Sequence, residues 1–324
     1  MNWRVVLVGG LGFVAPLYGA VCIVLARLMT GPDWQGRGPL RATPAIVGLQ
    51  YEDVSFSATD GLRIFGWWLP ATATTAILMI PGGGQNRLND NTEHEEVTMD
   101  NLELARAFVA RGHGVLMYDP RATGASDGRR VSYGSLESRD VIGALDWLAA
   151  RDIEADQVVV MGWSMGCASA MFALEKRTYA GLIADSPLGG FSVDDIVKYA
   201  ARLLKVPTAV ARPVTTLFMN GVFFAARLMW GMRLFRQPVG VLREHPIPTL
   251  VIHGRADETI PLRVAEQVAD AAGDKLVGAH YRDGVGHCRA YETDRDWYVG
   301  TVMASLDRML PSAVRPGEAR VTPA

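Results

Sequence analysis

Apolar residues in this chain fall into short stretches, the central ones unbroken runs, separated by longer segments of helical period. The stretches at 51–58, 62–70, 76–81, 114–119, 157–162, 180–185, 247–253 and 275–282 read as strands. The segments at 96–110, 135–150, 165–177, 262–272 and 292–309 read as helices. After the first two strands, strand and helix alternate, which predicts a mostly parallel sheet with helices on both faces. Two stretches break the alternation. Val5 to Ala26 carries no charged residue and is bracketed by Arg4 and Arg27. A long connection, about 188–243, separates the sixth and seventh strands, and its middle, 217–230, is strongly apolar.

The fifth run leads directly into Gly162-Trp163-Ser164-Met165-Gly166, and a helical segment follows. Strand, G-x-S-x-G, helix is the context of a nucleophile elbow. A serine on so sharp a turn crowds its neighbours, so the positions two before and two after must lack bulk. The same turn aims the Met165 N–H, at a helix N-terminus, toward a reacting carbonyl. A serine hydroxyl also needs a base, and the base needs a carboxylate to orient it. Asp257 lies just beyond the strand that ends at His253, and His287 lies on the glycine-flanked loop after the last strand. Both loops sit at strand C-termini, where ligands collect in open α/β sheets. Ser164, Asp257 and His287 are therefore the candidate triad, with Asp185 the fallback acid and Glu258 a weaker one.

The other five histidines fit less well. His94 and His113 precede the serine, and His113 reads as a helix-end residue. His245 stands before two prolines, His253 ends a strand, and His280 lies inside one. A second oxyanion donor is expected after the third strand, in Pro81-Gly82-Gly83-Gly84-Gln85-Asn86-Arg87. Gly83 is the candidate there, with Gly84 beside it. No Gly-Lys-Ser/Thr ending follows, which argues against a phosphate loop.

These residues together resemble the α/β-hydrolase superfamily, in its peptidase-like or esterase-like serine-hydrolase branch that includes membrane-anchored bacterial members. The resemblance runs from Leu49 to about residue 310. It is carried by Tyr51 to Phe56, Asp60-Gly61-Leu62, Gly66 to Pro70, the glycine loop, Asp119 to Ser126, Gly162 to Gly166, His253-Gly254 with Asp257, and Gly286-His287. It implies an α/β-hydrolase fold, a helical cap at the 188–243 insertion and hydrolysis without a metal or organic cofactor. The chain departs from the pattern twice. Pro81 stands where relatives usually have His, and Ala122 where they usually have Gly.

Composition refines this picture. The chain has 324 residues, a net charge of −2 and a mean hydropathy of +0.12. Such a charge argues against a nucleic-acid partner. Cys22, Cys167 and Cys288 have no regular spacing, which argues against a disulfide framework or a zinc site. The uncharged run at Val5–Ala26 is long enough to cross a bilayer and longer than a signal-peptide core. It reads as an uncleaved single-pass anchor within residues 1–30, and its flanking arginines leave the orientation open. Residues 31–48 read as a linker, 49–310 as the catalytic domain with the 188–243 cap, and 311–324 as a disordered tail. The expected activity is cleavage of an ester or thioester bearing an apolar, lipid-like acyl group. Amide or peptide hydrolysis on the same triad, or a non-catalytic binding role on this fold, are the alternatives.

Overall fold

The computed structural model describes residues 3–31, 37, 39–89, 100–190, 193–234 and 236–310. The expected tail at 311–324 and the first residues of the helix expected from 96 lie outside them. Among the described residues the strands are β1 (Glu52–Ser57), β2 (Arg63–Leu69), β3 (Ala76–Ile80), β4 (Gly114–Tyr118), β5 (Val158–Trp163), β6 (Gly181–Asp185), β7 (Thr249–Gly254) and β8 (Leu276–Arg282). The helices are α1 (Trp3–Thr30), α2 (Asp100–Ala110), α3 (Ser138–Ala149), α4 (Met165–Ala173), α5 (Val193–Leu204), α6 (Thr208–Trp230), α7 (Pro238–Glu244), α8 (Leu262–Ala272), α9 (Ala290–Thr293) and α10 (Arg295–Met309).

The eight strands form one sheet in the order β1-β2-β4-β3-β5-β6-β7-β8. Only β2 runs antiparallel to its neighbours, and β3 to β8 pair in parallel. Alternate residues of the central strands sort into two cores. Leu78, Ile80, Val158, Val160, Leu182 and Val251 pack with residues of α3, α4, α7 and α8. Ile77, Met79, Val159, Met161, Ile183 and Ile252 pack with α2 and α10. Both faces are covered, so every position of β3, β4, β5, β6 and β7 is buried. That is why these strands appear in the sequence as unbroken apolar runs rather than alternation.

Strand order reverses beside β3, which has β4 on one side and β5 on the other. Such a reversal is where ligands collect in open α/β sheets, and the loop after β3 and the turn after β5 both leave from this point. Two buried arginines fix the neighbouring loops through ion pairs. Arg87 donates from its backbone N–H and Nε to Asp119 Oδ1, at 2.8 and 3.0 Å, and from a terminal nitrogen to Oδ2 at 2.8 Å. Arg121, in the loop after β4, binds Asp140 of α3 at 2.7 Å and Asp60 at 2.8 Å. Ala122, next along that loop, holds φ +62°, a conformation that favours glycine.

The chain divides into two compact units. Gln35–Gly189 with Pro238–Ala324 contains the sheet, and Met1–Trp34 with Gly190–Gln237 contains α1, α5 and α6. Within the helical unit, α1 packs on α6. The Tyr18 hydroxyl donates to the Leu217 carbonyl at 2.6 Å, and its ring lies 5.5 Å from that of Phe218. α5 packs on the first turns of α6 through Val197, Ala201 and Ala211.

Asp60 gives this scaffold an acid-labile element. Burial alone would raise its pKa, but the hydrogen bonds and charges of Arg121 and Arg139 hold the carboxyl at about 2. A carboxylate whose folded pKa is depressed stabilises the protein above its unfolded value, about 4, and loses that contribution as pH falls toward 2. Asp60→Asn should therefore flatten the stability profile between pH about 4 and 2. Urea unfolding of the two proteins across that window is the check, and identical slopes would refute the coupling.

Candidate active site

The elbow is built from close backbone packing. Ser164 joins β5 to α4 with φ 50° and ψ −111°, outside the region L residues favour. A Cβ at Gly162 would lie 2.6 Å from the Cys167 nitrogen. One at Gly166 would collide with the Ile80 carbonyl oxygen and stand 2.8 Å from that of Pro81. The N-terminus of α4 is thus pressed against the end of β3, and only glycine permits it. A strained non-glycine backbone costs about 1–3 kcal/mol and persists only where its surroundings hold it. Here the Ser164 N–H donates to the Asp185 carbonyl at 3.0 Å, and the Leu188 N–H donates to the Ser164 carbonyl at 3.1 Å.

Asp257 and His287 meet. Nδ1 of His287 lies 2.7 Å from Asp257 Oδ2. The Asp257 side chain is fully buried and the His287 ring about one-quarter exposed. Burial works to raise the Asp257 pKa, but the His287 hydrogen bond, the Ile260 amide and the charges of His287 and His253 hold it below the ordinary range. An ionised carboxylate only accepts hydrogen bonds, so the proton between the two belongs to Nδ1. That tautomer leaves the Nε2 lone pair available as a base. The Thr259 and Ile260 N–H groups both donate to Asp257 Oδ1, at 2.9 and 2.8 Å, which fixes the carboxylate plane. The acid and histidine loops are joined by Arg255 N–H to the Arg282 carbonyl and by Ala256 N–H to the Val285 carbonyl.

Asp185 has a different environment. It is buried at the end of β6, accepting from the Tyr298 hydroxyl at 2.7 Å and the Ser186 hydroxyl at 3.0 Å. Burial raises its pKa to about 6 against those two hydrogen bonds. The Ser186 hydroxyl also accepts the Cys288 N–H at 2.9 Å. Asp185 and Ser186 therefore tie the elbow on one side to the residue after His287 on the other. Ser186 and Cys288 both have positive φ, 49° and 55°, like Ser164. Sequence reading missed Ser186 and Tyr298 because nothing in their local pattern marks them. His253, expected to end a strand, is buried in β7 beside the acid loop. Its Nε2 lies 3.0 Å from the Ile260 carbonyl and 3.6 Å from Asp257 Oδ2, so it buttresses the acid loop.

The glycine loop is pinned at both ends. The Gly82 N–H donates to Asn89 Oδ1 at 2.9 Å, and Arg87 is held by Asp119 and stacked 4.7 Å over the Trp67 ring. Among the described residues, no protein acceptor takes the Gly83 or Met165 N–H. Both belong to segments that meet where Gly166 touches Ile80 and Pro81. A hydroxyl on a strained turn, an imidazole oriented by a buried carboxylate and two unengaged N–H donors form a set suited to acyl transfer.

The Alpha/beta hydrolase family profile matches residues 77–301. Among curated relatives, YqkD of Bacillus subtilis is 27% identical over 65% of this chain and 68% of its own length. The alpha/beta hydrolase domain-containing protein WAV2 of Arabidopsis thaliana is 30% identical over 83% of this chain and 82% of its own. Among solved structures, the Pyrococcus furiosus esterase Pf2001 superposes with a TM-score of 0.64 at 20% identity, covering 85% of this chain and 97% of that one.

The Asp185 cluster makes a measurable prediction. Ser186→Ala leaves a buried carboxylate oxygen and the Cys288 N–H without their partner, and Tyr298→Phe strips the other oxygen. Each should cost about 1–3 kcal/mol. Because both act through Asp185, their effects should be non-additive by at least about 0.5 kcal/mol. A denaturation double-mutant cycle reads this directly, and strict additivity would mean the two hydroxyls act independently.

Proposed function

Because the chain belongs to the alpha/beta hydrolase family, we propose that it is a serine hydrolase cleaving a carboxylic ester or thioester through an acyl-enzyme intermediate. The observation that carries this reading is the 2.7 Å contact of His287 Nδ1 with buried Asp257, on loops tied through Ser186 and Asp185 to the Ser164 turn. In the proposed mechanism, Ser164 Oγ attacks the acyl carbon while His287 Nε2 accepts its proton. The tetrahedral oxyanion is stabilised by the Gly83 and Met165 N–H groups. His287 then protonates the departing alkoxide or thiolate, and the acyl-enzyme remains. Water, deprotonated by the same nitrogen, attacks the acyl-enzyme and releases the carboxylic acid with Ser164 restored. Asp257 keeps Nδ1 protonated throughout and stabilises the transient imidazolium. The esterase Pf2001, with the same fold, supports an ester as substrate class.

We further propose that the enzyme sits at a membrane. α1 carries the uncharged run from Val5 to Ala26, and at 1.5 Å per residue that run matches a hydrocarbon core of about 30 Å. Apolar acyl substrates fit such a location.

Two outcomes are expected. A fluorophosphonate probe should label Ser164, and Ser164→Ala should abolish labelling and lower kcat about 10⁴- to 10⁶-fold with folding intact. Asp257→Asn should cost less, through loss of the tautomer. Label on another residue, or full turnover by Ser164→Ala, would refute the mechanism. Separately, the full-length protein should stay with membranes through a carbonate wash, because insertion is hydrophobic rather than electrostatic. Release into the supernatant with the N-terminus intact would refute the anchor.

A further inference from the structure

The helical unit turns apolar residues outward. On α6, Val210, Val214, Leu217, Phe224 and Leu228 fall on one stripe of a 3.6-residue helix, which α1 crosses at Gly221. All five are more than half exposed, Leu228 at 76%. On α1, Leu17, Val21, Val24 and Leu28 repeat the same spacing and are also exposed. Leu203 and Leu204, at the end of α5, are exposed as well. A helix of a water-soluble protein sends such a stripe into the core, and scattered exposed leucines do not produce two of them.

Charge points to what meets this surface. The segment 190–237 carries seven arginines and lysines against two aspartates, in a chain whose net charge is −2. Three of the cations, Lys198, Arg202 and Lys205, are exposed and line one concavity of about 410 Å³ with Pro207 and Thr208, beside Leu203 and Leu204. A basic end next to an exposed apolar stripe is complementary to a bilayer carrying anionic headgroups.

Depth agrees. Gly221 leaves no room for a side chain between Tyr18 and Cys22, so α6 crosses α1 at that level. Arg27, the cation that closes the uncharged run of α1, lies five residues beyond Cys22, about 7–8 Å along the helix. Interfacial helices bury their apolar face about 5–10 Å below the headgroups.

We infer that α6 is a second membrane contact, lying in the interface of an anionic bilayer with its apolar stripe among the acyl chains and the basic end of α5 among the headgroups. Only the depth argument rests on α1 as an anchor; the stripe and the charge stand without it. The contact holds the helical insertion of the hydrolase at the lipid surface from which an apolar acyl substrate would be drawn.

The test uses the full chain in vesicles of phosphatidylcholine with about 30% phosphatidylglycerol. Cys22 and Cys167 are buried, so a Cys288→Ser background leaves an introduced cysteine as the accessible one. An environment-sensitive fluorophore is placed at Phe224→Cys, at Leu228→Cys, at Leu17→Cys on α1, and at Asp283→Cys as an aqueous reference whose side chain is 93% exposed. Brominated lipid should quench the 224 and 228 probes at least about twofold more than the 283 probe, and iodide should do the reverse. In pure phosphatidylcholine, or with Lys198, Arg202 and Lys205 all changed to Gln, lipid quenching at 224 and 228 should fall by about half while that at 17 stays. Iodide-accessible, lipid-insensitive probes at 224 and 228 beside a lipid-quenched 17 would overturn the inference and leave the anchor intact. Protection from both quenchers would mean that a second copy covers the stripe, and would also overturn it. Quenching indifferent to phosphatidylglycerol would overturn the role of the basic end. A lipid-insensitive probe at 17 with quenched 224 and 228 would remove the anchor and support the interfacial contact.

Discussion

The rest of the sheet unit depends on how closely the N-terminus of α4 approaches the carboxyl end of β3. Gly166 lies against the Ile80 and Pro81 carbonyls, and Gly162 lies against the Cys167 nitrogen. With no side chain at either point, the turn between them is forced into the backbone conformation seen at Ser164. That conformation is unfavourable by itself, so its persistence is a statement about its surroundings. The parallel pairing of β5 with β3 and β6, and the hydrogen bonds from and to Asp185 and Leu188, supply the restraint.

Polar groups around the strand ends are buried in connected sets rather than singly. Arg87 with Asp119 holds the glycine loop, Arg121 with Asp60 and Asp140 holds the loop after β4, and Asp185 with Ser186 and Tyr298 links elbow to histidine loop. The ion pairs among them add little net stability relative to apolar packing, but breaking one partner away costs about 3–5 kcal/mol. Their consequence here is positional. Each fixes one of the loops at the strand ends, and no regular secondary structure would hold those loops otherwise.

The two units follow opposite rules of burial. In the sheet unit, apolar strand residues face helices on both sides and the charged residues face water or one another. In the helical unit, the long apolar helices present exposed stripes, and small residues such as Gly221 form the seam between them. Close packing at a small residue with apolar side chains outward is the arrangement that the proposed membrane contact calls for.

Much of this was readable from the chain alone. The central strands β3 to β7, buried on both faces, appear as continuous apolar runs, and the eight expected strands match β1 to β8 within one or two residues at each end. The helix expected over 165–177 stops earlier, at Ala173, where the chain passes into a hydrogen-bonded turn through Lys176. Ser164 was legible because a sharp turn imposes glycine at fixed offsets, and Asp257 and His287 because chain order and strand ends restrict where partners can stand. Ser186 and Tyr298 were not legible. The residues they bind, Cys288 and Asp185, lie 102 and 113 positions away in sequence. The packing of α1 on α6 was equally hidden, since Tyr18 meets Leu217 across 199 positions. Local pattern fixes what a segment forms and which face is apolar, because those follow from backbone geometry and side-chain period. Which distant side chains share a hydrogen bond, and which apolar faces meet each other rather than solvent, is decided only when the sheet order and helix packing bring them together.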